Sequence, residues 1–141
     1  MHVEVEFPTD DRIQARSKEM VFEIGPPPSH GGAPEAMGPF DLLLSGLGLC
    51  TGYQVLAFLK ERGLPRTDTS LNISAVRDEH THLLKTVSLE IRVPEGFPEK
   101  HKDALIRAAG RCAVKIQLGQ APEFEFSVVP AGRRASERQE E

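Results

Sequence analysis

The sequence predicts an α+β domain of mainly antiparallel sheets with two long helices, the first buried centrally. Three observations predict it. Segments with period-two alternation fall in adjacent pairs, not singly between helices, so their strands form hairpins. The 18 residues from Leu42 to Leu59 contain no charge, the pattern of a helix that is apolar on every side. The chain of 141 residues, 39% hydrophobic and 27% charged, is long enough for one self-standing core and short for two domains. Residues 1–130 are assigned to that single domain. Residues 131–141 form a polar C-terminal tail expected to be disordered.

The elements follow in order. Val3, Val5 and Phe7 alternate with His2, Glu4 and Glu6, which predicts a half-buried strand. Pro8 to Asp11 is a turn cluster. Arg12–Arg16 and Met20–Ile24 then read as a hairpin turning at Ser17-Lys18. Gly25 to Gly38 holds four Gly and four Pro, so no regular element is expected there, and a loop of this length tends to be functional or mobile. The apolar helix should start near Pro39, which suits a first helical turn, and end by Gly63. Its length touches that of a membrane span. Ser45, Gly46, Gly48, Thr51, Gly52, Tyr53 and Gln54 within it argue for a core helix instead. Ser70–Val76 and Leu84–Val93 form a second hairpin with a charged tip, Arg77 to His82. Glu99 to Leu118 reads as one helix with Leu105, Ala108, Ala109, Cys112 and Ile116 on one face, stopped by Gly119. Phe124, Phe126 and Val128 predict a last short strand.

A helix apolar all round needs more cover than one sheet supplies. A second copy of the chain is the simplest source, which predicts an obligate homodimer. Gly46, Gly48 and Gly52 each cost a helix about 1 kcal/mol relative to Ala, a cost that close approach of another helix would offset.

Composition excludes several classes. The net charge of −4 gives no basic field for nucleic acid. Two cysteines are too few for a disulfide-stapled secreted scaffold, and no signal peptide is visible after Met1. A soluble, cytoplasmic protein with no membrane partner is expected. The run Gly46-Leu-Gly48-Leu-Cys-Thr-Gly52 has the wrong spacing for a dinucleotide loop and follows an apolar helical run where a strand is required. His80 and His82 could chelate a metal, but beside Asp78 and Glu79 they fit a solvated turn better. No zinc-site spacing and no Ser/His/Asp hydrolase signature is present, so neither metal nor cofactor is expected. Cys50 and Cys112, 62 positions apart, fit two readings: small buried hydrophobes, or thiols meeting in one pocket.

Gly38-Pro-Phe-Asp-Leu-Leu-Leu-Ser-Gly-Leu-Gly-Leu-Cys50-Thr resembles the first cysteine motif of the OsmC/Ohr family, and Ala108-Ala-Gly-Arg-Cys112-Ala-Val-Lys resembles the second. The resemblance covers roughly residues 1–129. It implies an intertwined homodimer with two sites at the interface, and a thiol-dependent peroxidase that reduces small organic hydroperoxides in oxidative-stress defence. Carried onto this chain, Cys50 is the peroxidatic thiol and Cys112 the resolving thiol, and an external dithiol reduces their disulfide. A thiol in an apolar helix is raised in pKa by burial, so this chemistry needs a nearby cation. Arg16 is the first candidate and Arg12 the second; Arg111, next to Cys112, points off its face. In the hydroperoxide reductases a catalytic Glu stands where this chain has Phe40. Asp41 follows it, and Glu35 is a candidate replacement. The departure resembles the OsmC-like branch that keeps the thiol pair without the full Arg–Glu network. Phe40, Leu43, Leu47 and Tyr53 would supply an apolar wall. The alternative is a binding protein for a small hydrophobic ligand, with passive or redox-sensing cysteines.

Overall fold

The computed structural model describes residues 1–33 and 37–130; Glu35 and the tail from residue 131 lie outside the described residues. The chain opens with an antiparallel meander of three strands, β1 (Glu4–Thr9), β2 (Arg12–Ser17) and β3 (Met20–Ile24), in the order β1-β2-β3. Ser17 pairs with Met20, so Lys18 and Glu19 make the turn, and Lys18 takes a left-handed φ of 52°. The β1–β2 register slips between Glu6 and Thr9. Pro8 lies in that gap, and without an N–H it cannot join the ladder; an edge strand tolerates this.

The Gly/Pro segment contains one 3-10 turn, Pro28–His30, closed by Gly31 at φ 86°. The long helix α1 spans Pro39–Glu61. The Gly38 N–H donates to Asp41 Oδ2 at 2.7 Å, so the acid in the first turn satisfies a free donor and complements the helix dipole. Gly63 ends the helix at φ 61°. Its N–H reaches the Lys60 carbonyl at 3.2 Å and the Leu64 N–H the Leu59 carbonyl at 2.9 Å, a Schellman closure. A hairpin of β4 (Ser70–Arg77) and β5 (Leu84–Arg92) follows. At its tip the Asp78 carboxylate accepts the N–H groups of His80 at 3.0 Å and Thr81 at 2.9 Å.

Three expectations are corrected. The helix expected over residues 99–118 is three pieces: a 3-10 turn at Glu99–His101, α2 (Lys102–Ala109) and α3 (Ala113–Leu118). Gly110 weakens the continuation. Cys112 then leaves helical geometry at φ −57°, ψ 120° and becomes the N-cap of α3. The strand expected around Phe124 is absent among the described residues, and Phe124, Phe126 and Val128 are exposed. Their alternation supplies a face but no neighbouring edge to pair with. Finally, α1 is not buried all round within one chain: Leu47, Thr51, Val55, Phe58 and Leu59 are buried, while Leu49, Tyr53 and Leu56 are exposed.

The core lies between α1 and α2. Val55, Phe58, Leu59, Phe97, Leu105, Ala108 and Ala109 form it, with Leu64, Ile91, Val93 and Ala104 packed against it. Burial of each large side chain contributes roughly 1.5–3 kcal/mol. The β4–β5 hairpin closes on α1, where a Cβ at Gly48 would meet Ile73 Cδ1 at 2.8 Å. The close approach at this glycine is therefore made by a strand of the same chain, not by a helix. Around Gly46 and Gly52 a Cβ would meet nothing within 4 Å among the described residues. Among the described residues the β1–β3 meander shares no substantial contact with the helices or with β4–β5.

Candidate functional site

The positions 47, 51, 55 and 58 recur at helical spacing on the inner face of α1, and α2 and α3 pack against this helix. Cys50 lies beside that face and is half-buried. Cys112 sits where the chain turns from α2 into α3, and it is 0% exposed. Both thiols are free. They are neighbours: the Cys50 side chain acts on the Cys112 sulfur as a hydrogen-bonding group. The turn that breaks the expected helix is thus what carries the second sulfur to α1.

The environment of Cys112 sets its acidity. Burial is the strongest single influence and pushes its pKa up. The Thr51 hydroxyl, the Cys50 thiol and the backbone N–H groups of Lys115 and Val114 oppose it, and their sum holds the thiol below its ordinary value. The Lys115 N–H lies 3.5 Å from the sulfur, and the sulfhydryl faces the Leu47 carbonyl at 3.9 Å. Thr51 Oγ1 is buried and makes no close hydrogen bond, so its pull on the sulfur is a longer dipolar contact. Thr51 and the Lys115 N–H were missed by sequence reasoning. For Thr51 a signal existed, since it shares the i, i+4 row with Leu47 and Val55. For Lys115 the signal is the helix break, which apolar periodicity does not reveal.

Arg16 lies on β2, half-exposed, with its guanidinium 4.0 Å from Glu6 on β1. Arg12 ion-pairs with Glu23 on β3. Within the single chain both belong to the meander, and the structure does not bring them together with the thiols. Phe40, in the first turn of α1, carries the Arg77 guanidinium over its ring, 4.0 Å from the centroid. Leu47 is buried and Leu43 half-buried, while Tyr53 faces solvent, so these side chains do not form one wall within the chain.

No match was found among curated protein sequences. Solved structures share the fold. An OsmC-like protein from Mycoplasma pneumoniae has a TM-score of 0.68 at 17% identity, over 84% of this chain and 86% of that one. A hypothetical protein from Aquifex aeolicus VF5 has a TM-score of 0.66 at 19% identity, over 84% and 86%. An OsmC-like hydroperoxide resistance protein from Jannaschia sp. CCS1 has a TM-score of 0.50 at 19% identity, over 92% and 91%. The sequence itself matches the OsmC family, described as OsmC-like protein, over residues 31–127. That stretch spans both cysteine motifs and most of the chain, and the chain belongs to the OsmC-like family.

Proposed function

We propose that this protein is a two-cysteine peroxidase for small organic hydroperoxides. The observation that carries the reading is the adjacency of two free thiols, one half-buried and one sealed. The Cys50 thiolate attacks one peroxide oxygen, the O–O bond breaks, and the alkoxide leaves and is protonated to the alcohol. Cys50 becomes a sulfenic acid. Cys112, with its pKa held down first by the Thr51 hydroxyl and the Cys50 thiol and then by the N–H groups of Lys115 and Val114, attacks the Cys50 sulfur; the S–S bond forms and water leaves. An external dithiol returns both thiols by taking up the oxidation.

The working unit in this reading is a homodimer. Support comes from the exposed outer face of α1, the open space at Gly46 and Gly52, and a meander with little attachment to its own chain. The partner's meander would then bring an Arg16 to Cys50 and favour its thiolate.

Cumene hydroperoxide consumption with dithiothreitol tests the chemistry. Wild type should turn over, Cys50→Ser should lose activity, and Cys112→Ser treated with the hydroperoxide in the absence of dithiothreitol should stop as a sulfenic acid, where wild type forms the disulfide. Equal, slow consumption by wild type and Cys50→Ser would sink the enzyme reading. A second reading is favoured by the apolar Phe40 side chain, stacked under Arg77, at the position where the family's reductases carry an acid: a binding protein for a small hydrophobic ligand, with redox-passive or sensing thiols. It predicts ligand binding that survives Cys50→Ser.

A further inference from the structure

A groove of about 340 Å³ opens between the C-terminal end of α1 and α2, lined by Phe58, Arg62, Ala104, Arg107, Ala108 and Arg111. Its floor is apolar and its rim carries three guanidinium groups. The Arg62 guanidinium lies over the Phe58 ring, 3.9 Å from the centroid, which fixes its plane. Its one ion pair is to Glu61 at 3.5 Å, its neighbour in sequence. Arg107 and Arg111 stand four residues apart, and their guanidinium groups make no ion pair or hydrogen bond among the described residues. Like charges at this spacing repel, and no carboxylate crosses the groove to balance them. Guanidinium forks are suited to two acceptor oxygens on one centre, as in phosphate or carboxylate.

We propose that this groove binds a small amphipathic anion, a phosphate monoester or carboxylate with a short apolar body. The anionic head would rest on Arg107 and Arg111, and the apolar body on Phe58, Ala104 and Ala108. The volume is at the low end for small-molecule sites, of roughly 300–1,000 Å³. Phe58 and Arg62 continue the inner row of α1, on the side opposite Leu49, Tyr53 and Leu56, so a partner seated on that outer face leaves the groove open. The site is separate from the thiol chemistry and does not rest on it.

The test is calorimetric titration of the full chain with phenyl phosphate and, separately, inorganic phosphate. Phenyl phosphate should bind saturably, with a dissociation constant on the order of 0.1–1 mM for a ligand of this size. Arg107→Ala/Arg111→Ala should weaken it about tenfold or more. Arg107→Lys/Arg111→Lys, which keeps the charge and loses the fork, should fall between. Cys50→Ser should bind like wild type, which separates this site from the peroxidase reading. Inorganic phosphate should bind more weakly than phenyl phosphate. Absence of saturable binding, wild-type affinity in the double Ala variant, or equal affinity for the two phosphates would overturn the proposal. So would arginine-dependent binding to phosphatidylglycerol vesicles without binding of the soluble ester, which would assign the rim to a lipid surface.

Discussion

The two faces of α1 are built from the same kind of residue and meet opposite fates. Leu47, Thr51, Val55, Phe58 and Leu59 are 2–5% exposed, whereas Leu49, Tyr53 and Leu56 are 46–78% exposed. The difference lies in what the chain places beside each face. α2, α3 and the β4–β5 hairpin pack against α1 and cover one side; among the described residues, nothing in the same chain covers the other. Apolar composition therefore states that a helix needs cover, and the fold states how much of that cover is local. In the dimer we propose, the uncovered face is the assembly surface.

The sharpest way to break the comparison is to substitute one leucine on each face. Leu59→Ala should cost about 2–5 kcal/mol, the range for a buried leucine leaving a cavity, measured by urea unfolding. Leu49→Glu should act differently: it should convert a dimer to monomer in sedimentation velocity and leave the monomer's core intact. If wild type sediments as a monomer at all concentrations, the outer face is not an assembly surface.

How far the sequence could be read follows the same division. The limits of α1 were legible because Pro39 and Gly63 are local signals, satisfied within a turn of themselves; the cap made by Asp41 was not read. The meander and the β4–β5 hairpin were legible for the same reason. The break at Gly110–Cys112 was not, because Leu105, Ala108, Ala109 and Cys112 keep helical spacing up to the break. The strand expected at Phe124 failed because alternation marks a face and cannot name the edge that receives it. At the site, each cysteine was visible, but only the resemblance paired them, and their contact depends on a turn that periodicity hides. The arginine groove was invisible because Arg62 and Arg107 are 45 positions apart in the sequence.

The glycines of α1 sharpen the comparison at smaller amplitude. Gly46→Ala and Gly52→Ala meet only open space in one chain, so each should stabilise an isolated subunit by about 1 kcal/mol through helix propensity. If a partner's backbone approaches there, the same changes should weaken self-association. Gly48→Ala should gain less, because its Cβ would meet Ile73 Cδ1 at 2.8 Å and that side chain must shift. Equal stabilisation at all three sites, with assembly unchanged, would rule out close approach at Gly46 and Gly52.

The hairpin tip gives the smallest effect and a second kind of exposed region, one that needs no partner. Asp78 has a pKa below its ordinary value, first because Thr81 and then because His80 donate backbone N–H groups to its carboxylate. A folded-state pKa below the unfolded one adds stability that is complete above the unfolded value of about 3.9. That stability is lost as the pH falls through the lower folded value. Amide exchange at His80 and Thr81 reads it directly: protection should hold above that window and fall below it. Asp78→Asn, which keeps an acceptor oxygen but cannot titrate, should remove the pH dependence and leave protection modest throughout. A tip whose exchange shows the same pH dependence in both proteins would mean that the carboxylate does not hold the turn. The exposed tip would then have to be ordered by something other than its own hydrogen bonds.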